Sequence, residues 1–113
     1  EQIGALLDTL EQRGVLDNTV IVFTSDHGDA LNDHGHSQKW TMYEPSVHVP
    51  LILWAPGRLP AGGRLDELVS LMDVGPTIMQ LAGLTPPEWM EARSLLPAAR
   101  DDADHIPREY VFS

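Results

Sequence analysis

The chain has 113 residues, a length that accommodates one ordinary domain and not two. Its apolar fraction of 42% argues against disorder throughout, and no window reaches the roughly 20 apolar residues that a membrane-spanning helix needs. Seventeen acidic against seven basic side chains give a net charge of −10, which disfavours a nucleic-acid-binding surface, and the absence of cysteine excludes a disulfide scaffold, a zinc–cysteine site and a thiol nucleophile within these residues.

Ile3, Leu6, Leu7 and Leu10 recur at helical spacing and form one apolar stripe, with Gly14 where a left-handed cap ends the helix. Asp17 and Asn18 turn the chain into Val20-Ile21-Val22-Phe23-Thr24, a run that reads as a strand buried on both faces of a mostly parallel sheet. Residues 25–46 are polar, rich in Gly, His and Asp, and read as a loop. Val49 to Trp54 is a second buried strand, with Pro50 tolerable only at its start or at an edge because it offers no N–H to the ladder. A second helix is expected from Asp73 as N-cap, with Pro76 in its first turn, Ile78, Leu81 and Ala82 facing inward and Gly83 as the stop. Thr85-Pro86-Pro87 breaks the chain, and Asp101, Asp102 and Asp104 form a solvated acidic cluster. Trp40, Met42 and Tyr43 are expected to pack the loop against the core, His48 to be structural, and Glu44 to bind a backbone amide or an arginine.

Glu1 opens directly into the helical pattern and Tyr110-Val111-Phe112-Ser113 reads as an edge strand, so the expectation is a piece of a longer chain. Counting supports this. Two or three strands and two helices cannot cover both faces of Val20–Phe23, and each large side chain left exposed forgoes roughly 1.5–3 kcal/mol of burial. Neighbouring strands are expected from elsewhere.

Chemistry concentrates between Ser25 and Lys39. Asp26 and His27 follow the first strand directly, and the carboxyl ends of strands in open α/β sheets are where ligands bind. A carboxylate and an imidazole there suit a divalent cation, with Gly28 letting the backbone turn tightly beneath it. On residue types alone, Asp26 serves equally as a turn cap and His27 as a half-buried loop residue. The oxygen spacing of a calcium-binding helix-loop-helix, a His-Glu-x-x-His helix, a phosphate-cradling glycine loop and a nucleophile elbow are all absent from the sequence.

Thr24-Ser25-Asp26-His27-Gly28, Asp33-His34-Gly35, Lys39, Thr41-Met42-Tyr43-Glu44, Val49-Pro50-Leu51-Ile52, Val69 to Thr77, Leu81-Ala82-Gly83 and Ser94 to Pro97 resemble, in order, the C-terminal half of the catalytic domain of the sulfatase family within the alkaline phosphatase superfamily. The resemblance implies a partial alkaline-phosphatase-like α/β fold, incomplete on its own: a mixed, mostly parallel sheet flanked by helices, residues 1–84 belonging to the domain and 85–113 leading into a small C-terminal subdomain. It implies Asp26 and His27 as ligands of a divalent metal, Ca²⁺ by family habit, with Mn²⁺ or Zn²⁺ better suited to an imidazole. It also implies Lys39 as the contact to the sulfate oxygens and a formylglycine nucleophile outside these residues.

Lys39 is the chain's single lysine, a local reversal of field in an acidic protein. The near-neutral pKa of histidine makes His36 a candidate for catalysis and substrate contact and His34 a candidate for substrate contact. The position of His36 is often apolar or aromatic in the family, a departure that bears on substrate identity. Three functions follow. One is part of a sulfatase acting on sulfate esters. Another is a phosphonate monoester or phosphodiester hydrolase built on the same metal site. The third is a non-catalytic remnant or a subunit that completes a partner's sheet. The missing N-terminal half is the partner implied throughout. A homo-oligomer is compatible, and either side of a bacterial inner membrane stays open.

Overall fold

The two β-branched runs pair with each other. In the computed structural model, which describes residues 1–112, β1 (Ile21–Thr24) and β2 (Leu51–Trp54) form an antiparallel ladder with Ile21 opposite Trp54 and Thr24 opposite Leu51. The remaining helices are α1 (Gln2–Gln12), α2 (Glu44–Val47), α3 (Val74–Leu81) and α4 (Leu96–Ala99), an α/β composition. Pro50 lies immediately before β2, where its missing N–H costs no ladder bond. The one pairing among the described residues is thus antiparallel, unlike the parallel neighbours expected for so apolar a run. The connection explains why. A parallel pair needs a crossover, usually a helix, whereas residues 25–50 contain only a 3-10 turn at Asp33–Gly35 and the single turn α2, and are tied end to end by the Gly28 N–H donating to the Ser46 carbonyl at 2.9 Å. The chain therefore re-enters at the end of β1 it has just left.

Both long helices end as the glycines predict. Gly14 (φ +65°) and Gly83 (φ +79°) adopt the left-handed conformation, and paired backbone bonds close each terminus: Val15 to Leu10 with Gly14 to Glu11, and Leu84 to Met79 with Gly83 to Gln80. α3 starts with Asp73 in the N-cap position, as expected, but the Asp73 side chain makes no capping bond to α3. It belongs instead to the preceding 3-10 turn Leu71–Asp73, where Ser70 Oγ accepts from the Met72 N–H and the Asp73 carboxylate reaches back to the Ser70 N–H at 2.9 Å. Asp73 is 1% exposed, and its other oxygen accepts from the Arg93 N–H and from Arg108, both at 2.9 Å. The inward face of α3 follows this carboxylate through Thr77 to Leu81, while Ile78 and Ala82, expected inside, are exposed. Thr77 is fully buried because its hydroxyl donates to the Asp73 carbonyl and accepts the Leu95 N–H.

Leu81, Ala55 and Leu96 make the core, with Val20 and Leu59 against it, so residues beyond 84 fold back onto the sheet end of the molecule. Arg58 fastens this junction, donating to the Leu81 carbonyl at 2.8 Å and to Asn18 at 2.9 Å. On the sheet, Phe23, Ile52 and Trp54 share one face and are 41%, 57% and 39% exposed. Ile3 and Leu6 of α1 are also open to solvent. Tyr110–Phe112 forms no strand; the two rings pack edge to face at 5.5 Å, and Ser113 lies outside the described residues. No helix among the described residues is long and apolar enough to cross a membrane.

Candidate active site

β1 delivers its carboxyl end to the surface, and the next two residues carry the chemistry. The Asp26 side chain is exposed; one oxygen accepts the His27 N–H at 3.0 Å and the other lies 3.5 Å from His27 Nε2. His27 is half-buried, and its Nδ1 is 2.7 Å from the Gly28 carbonyl. A carbonyl oxygen only accepts, so Nδ1 carries the proton and, in the neutral ring, Nε2 presents a lone pair toward Asp26. Two electron-pair donors then face each other across a gap that only a proton or a cation reconciles. The Asp26 carboxyl is held below its ordinary range chiefly by the His27 N–H and then, when the ring carries a second proton, by the His27 imidazolium, with a smaller lowering from Lys39.

Gly28 does not supply a tight turn, as the sequence implied. It supplies clearance: a Cβ there would lie 1.9 Å from the Pro45 carbonyl oxygen. α2 thus packs directly beneath the two candidate ligands. Ser46 is 3% exposed, and its hydroxyl lies 3.0 Å from that of Thr41.

The intervening loop is held by Asp29, which the sequence reading passed over. Its Oδ1 accepts from the Leu31 N–H at 2.8 Å and from the Gln38 N–H at 3.2 Å, while the buried Ala30 donates to the Gln38 carbonyl at 2.9 Å. Between these ties Leu31, Asn32, His34 and Gln38 all have positive φ, a conformation costing roughly 1–2 kcal/mol per non-glycine residue. Hydrogen bonds to an ionised carboxylate contribute about 1.5–3 kcal/mol each, enough to offset much of that strain. The bond from Asp29 to an N–H two residues on is a signal readable in sequence; the tie to Gln38 is not.

His34 stacks on Tyr43 with ring centroids 4.3 Å apart, and His36 tilts against the same ring at 6.1 Å. The three rings form an exposed cluster, and neither histidine is hydrogen-bonded to Asp26 or His27. Trp40 and Met42 do not pack inward; they are 79% and 73% exposed, and the Trp40 indole N–H donates to Gln38 Oε1. His48 is exposed and pairs with Glu44 at 2.8 Å, so Glu44 binds an imidazole where an amide or arginine was expected.

With this geometry, the chain is similar to bovine (Bos taurus) arylsulfatase K, 37% identical over 99 residues that cover 88% of this chain and 18% of the bovine protein. A protein solved in complex with its substrate D-glucosamine-2-N,6-O-disulfate matches at 40% identity and a TM-score of 0.72, covering 86% of this chain and 20% of that one. The phosphonate monoester hydrolase of Silicibacter pomeroyi matches at 34% identity and a TM-score of 0.82, covering 96% and 21%. The chain spans about a fifth of the length of each. The family model described as Sulfatase matches residues 1–84, and this chain belongs to the sulfatase family.

Proposed function

We propose that the chain forms part of the catalytic centre of a metal-dependent sulfuric ester hydrolase, with Asp26 and His27 as metal ligands and Lys39 as the contact to the sulfate oxygens. The observation that carries this reading is the commitment of His27 Nδ1 to the Gly28 carbonyl, which leaves Nε2 as a lone pair 3.5 Å from an Asp26 oxygen. Metal-binding histidines are oriented in this way, by a second hydrogen bond to a backbone carbonyl.

The donor set fits a divalent cation but is half of one, since no group of three His, Cys, Asp or Glu comes together among the described residues. The remaining ligands and the formylglycine nucleophile belong, in this reading, to a preceding half of the domain. Family habit favours Ca²⁺; the imidazole is better suited to Mn²⁺ or Zn²⁺. When bound, the cation supplies Lewis-acid polarisation of a sulfuryl or phosphoryl oxygen. The residues of this chain do the rest. Asp26 and His27 orient their donors from a rigid strand end, and the Lys39 ammonium balances charge that accumulates on the transferring group's oxygens. His36 and His34, gathered on Tyr43, line the approach to that group. β1 and β2 join a mixed, mostly parallel sheet whose flanking helices cover Phe23, Ile52 and Trp54, and residues 85–113 lead into a small C-terminal subdomain.

The similarity to a phosphonate monoester hydrolase over 96% of this chain supports a second reading, in which the same centre acts on phosphonate or phosphate esters. Calorimetric metal titration of the full-length protein tests the ligands shared by both. Asp26→Ala loses at least about 100-fold in metal affinity. Lys39→Ala keeps the metal and loses about 100- to 1,000-fold in kcat/KM. Equal metal affinity in Asp26→Ala and the parent protein refutes the assignment, and relative kcat/KM on aryl sulfates and phosphonate monoesters chooses between the chemistries.

A further inference from the structure

Lys39 sits between two fastenings. On its N-terminal side Gln38 is held twice, by its N–H to Asp29 Oδ1 at 3.2 Å and by its carbonyl to the Ala30 N–H at 2.9 Å. On its C-terminal side Thr41 meets Ser46, whose carbonyl accepts the Gly28 N–H at 2.9 Å. Both fastenings lead to residues 28–30, directly after Asp26 and His27. The second is built from a buried serine and a glycine that tolerates no Cβ, so it belongs to the packing of α2. The first is different in kind. Asp29 is exposed, and its carboxylate accepts from the Leu31 and Gln38 amides at the two ends of a loop whose backbone is unfavourable at four non-glycine positions. One of those positions is Gln38 itself (φ +65°), the residue that sets the direction in which Lys39 leaves the loop.

We propose that Asp29 is a positioning residue for Lys39: by clamping the Leu31 and Gln38 amides with one carboxylate oxygen, it closes the loop and holds the lysine ammonium at the anion site beside Asp26 and His27. This rests on the reading of Lys39 as the contact to sulfate oxygens. Asp29 touches neither the metal ligands nor the transferring group; its effect passes through the lysine.

The test uses the full-length protein and inorganic sulfate as the probe. Because Lys39 is the single lysine among these 113 residues, its acetylation by an amine-reactive reagent is read without ambiguity by peptide mass spectrometry. Sulfate slows that acetylation in the parent protein and in Asp29→Asn, which keeps the accepting Oδ1, and fails to slow it in Asp29→Ala. On an aryl sulfate, Asp29→Ala lowers kcat/KM by about 100-fold, the cost of misplacing a reacting group by about 1 Å, with metal affinity unchanged. Asp29→Asn stays within about 3-fold of the parent, a loss worth about 0.6 kcal/mol. In the Lys39→Ala background the second change Asp29→Ala has no further effect. Should Asp29→Ala fail to fold, Asp29→Glu, which keeps the charge and displaces it by one methylene, shows the same loss of protection. Retained sulfate protection in Asp29→Ala or Asp29→Glu, or a further loss in the double variant, overturns the proposal. Absence of protection in the parent protein refutes the reading of Lys39 as an anion contact, and the proposal with it.

Discussion

Replacing Gly28 by alanine drives a methyl carbon to within 1.9 Å of the Pro45 carbonyl oxygen and 2.9 Å of its carbonyl carbon. Real Cβ contacts do not fall below 3.0 Å, and both obstructing atoms are backbone, so no rotamer change relieves the clash. The 27–28 segment and α2 must separate by roughly 1 Å, overpacking of a kind that costs about 1–3 kcal/mol. The separation also stretches the 2.9 Å bond from the Gly28 N–H to the Ser46 carbonyl, whose loss adds about 1 kcal/mol. The expected destabilisation is therefore about 2–4 kcal/mol, measured by denaturant unfolding of the full-length protein. The functional effect is larger than the stability effect at temperatures where the variant stays folded. The same movement shifts the Gly28 carbonyl, which fixes the tautomer of His27, so under the proposed reading of His27 as a metal ligand, metal affinity falls together with kcat/KM. A Gly28→Ala protein that unfolds at the parental denaturant midpoint and binds metal with parental affinity refutes this account of the strand end. Gly28→Ala melting early with metal affinity intact would separate the packing role from the positioning of His27 and refute the second half alone.

Thr77→Val keeps the shape of a fully buried side chain and removes the only acceptor of the Leu95 N–H among the described residues, so it destabilises by about 1–3 kcal/mol, visible as a lower denaturant midpoint that Thr77→Ser restores; an unchanged midpoint in Thr77→Val contradicts the buried bond. Asp26 titrates below the ordinary value of 3.8, so whatever stability its ionised form lends is complete above the unfolded value and is lost as pH falls through the lower, folded one. Carboxyl NMR titration of the metal-free protein checks the direction, and His27→Ala returns Asp26 toward the ordinary value because the imidazole is the second-largest cause of the lowering.

Features decided by short-range physics were the legible ones. Gly14 and Gly83 stop their helices because a left-handed residue is required there and glycine adopts it without a Cβ clash. The two β-branched runs form strands, and Asp26 and His27 stand together at the carboxyl end of the first, 3.5 Å apart. Features decided by distant partners were not. The buried face of α3 holds Asp73 and Thr77, because Arg93, Leu95 and Arg108 return from the far end of the chain to satisfy them, and helical periodicity alone counted Ile78 and Ala82 as the inner residues instead. Gly28 reads as a turn glycine until Pro45 is seen against it. Trp40 and Met42 read as packing residues by their size, yet the fastened loop turns both outward.

Two kinds of incompleteness meet at β1. Its Phe23, with Ile52 and Trp54 of β2, leaves an apolar sheet face substantially open, at roughly 1.5–3 kcal/mol of unrealised burial for each large side chain. Its carboxyl end presents two donors where a divalent cation takes four or more. A parallel strand added beside β1 or β2, with the crossover helix it lays across the sheet face, reduces the first deficit and, by running to the same sheet end, brings its own terminal residues within reach of Asp26 and His27. One structural event therefore addresses both, and the proposed centre gains metal affinity only when that face is covered. Backbone amide exchange of β1 and β2 in the full-length protein is accordingly expected to slow in every form that binds metal tightly; tight binding with both strands still exchanging freely would break the connection between fold completion and catalysis.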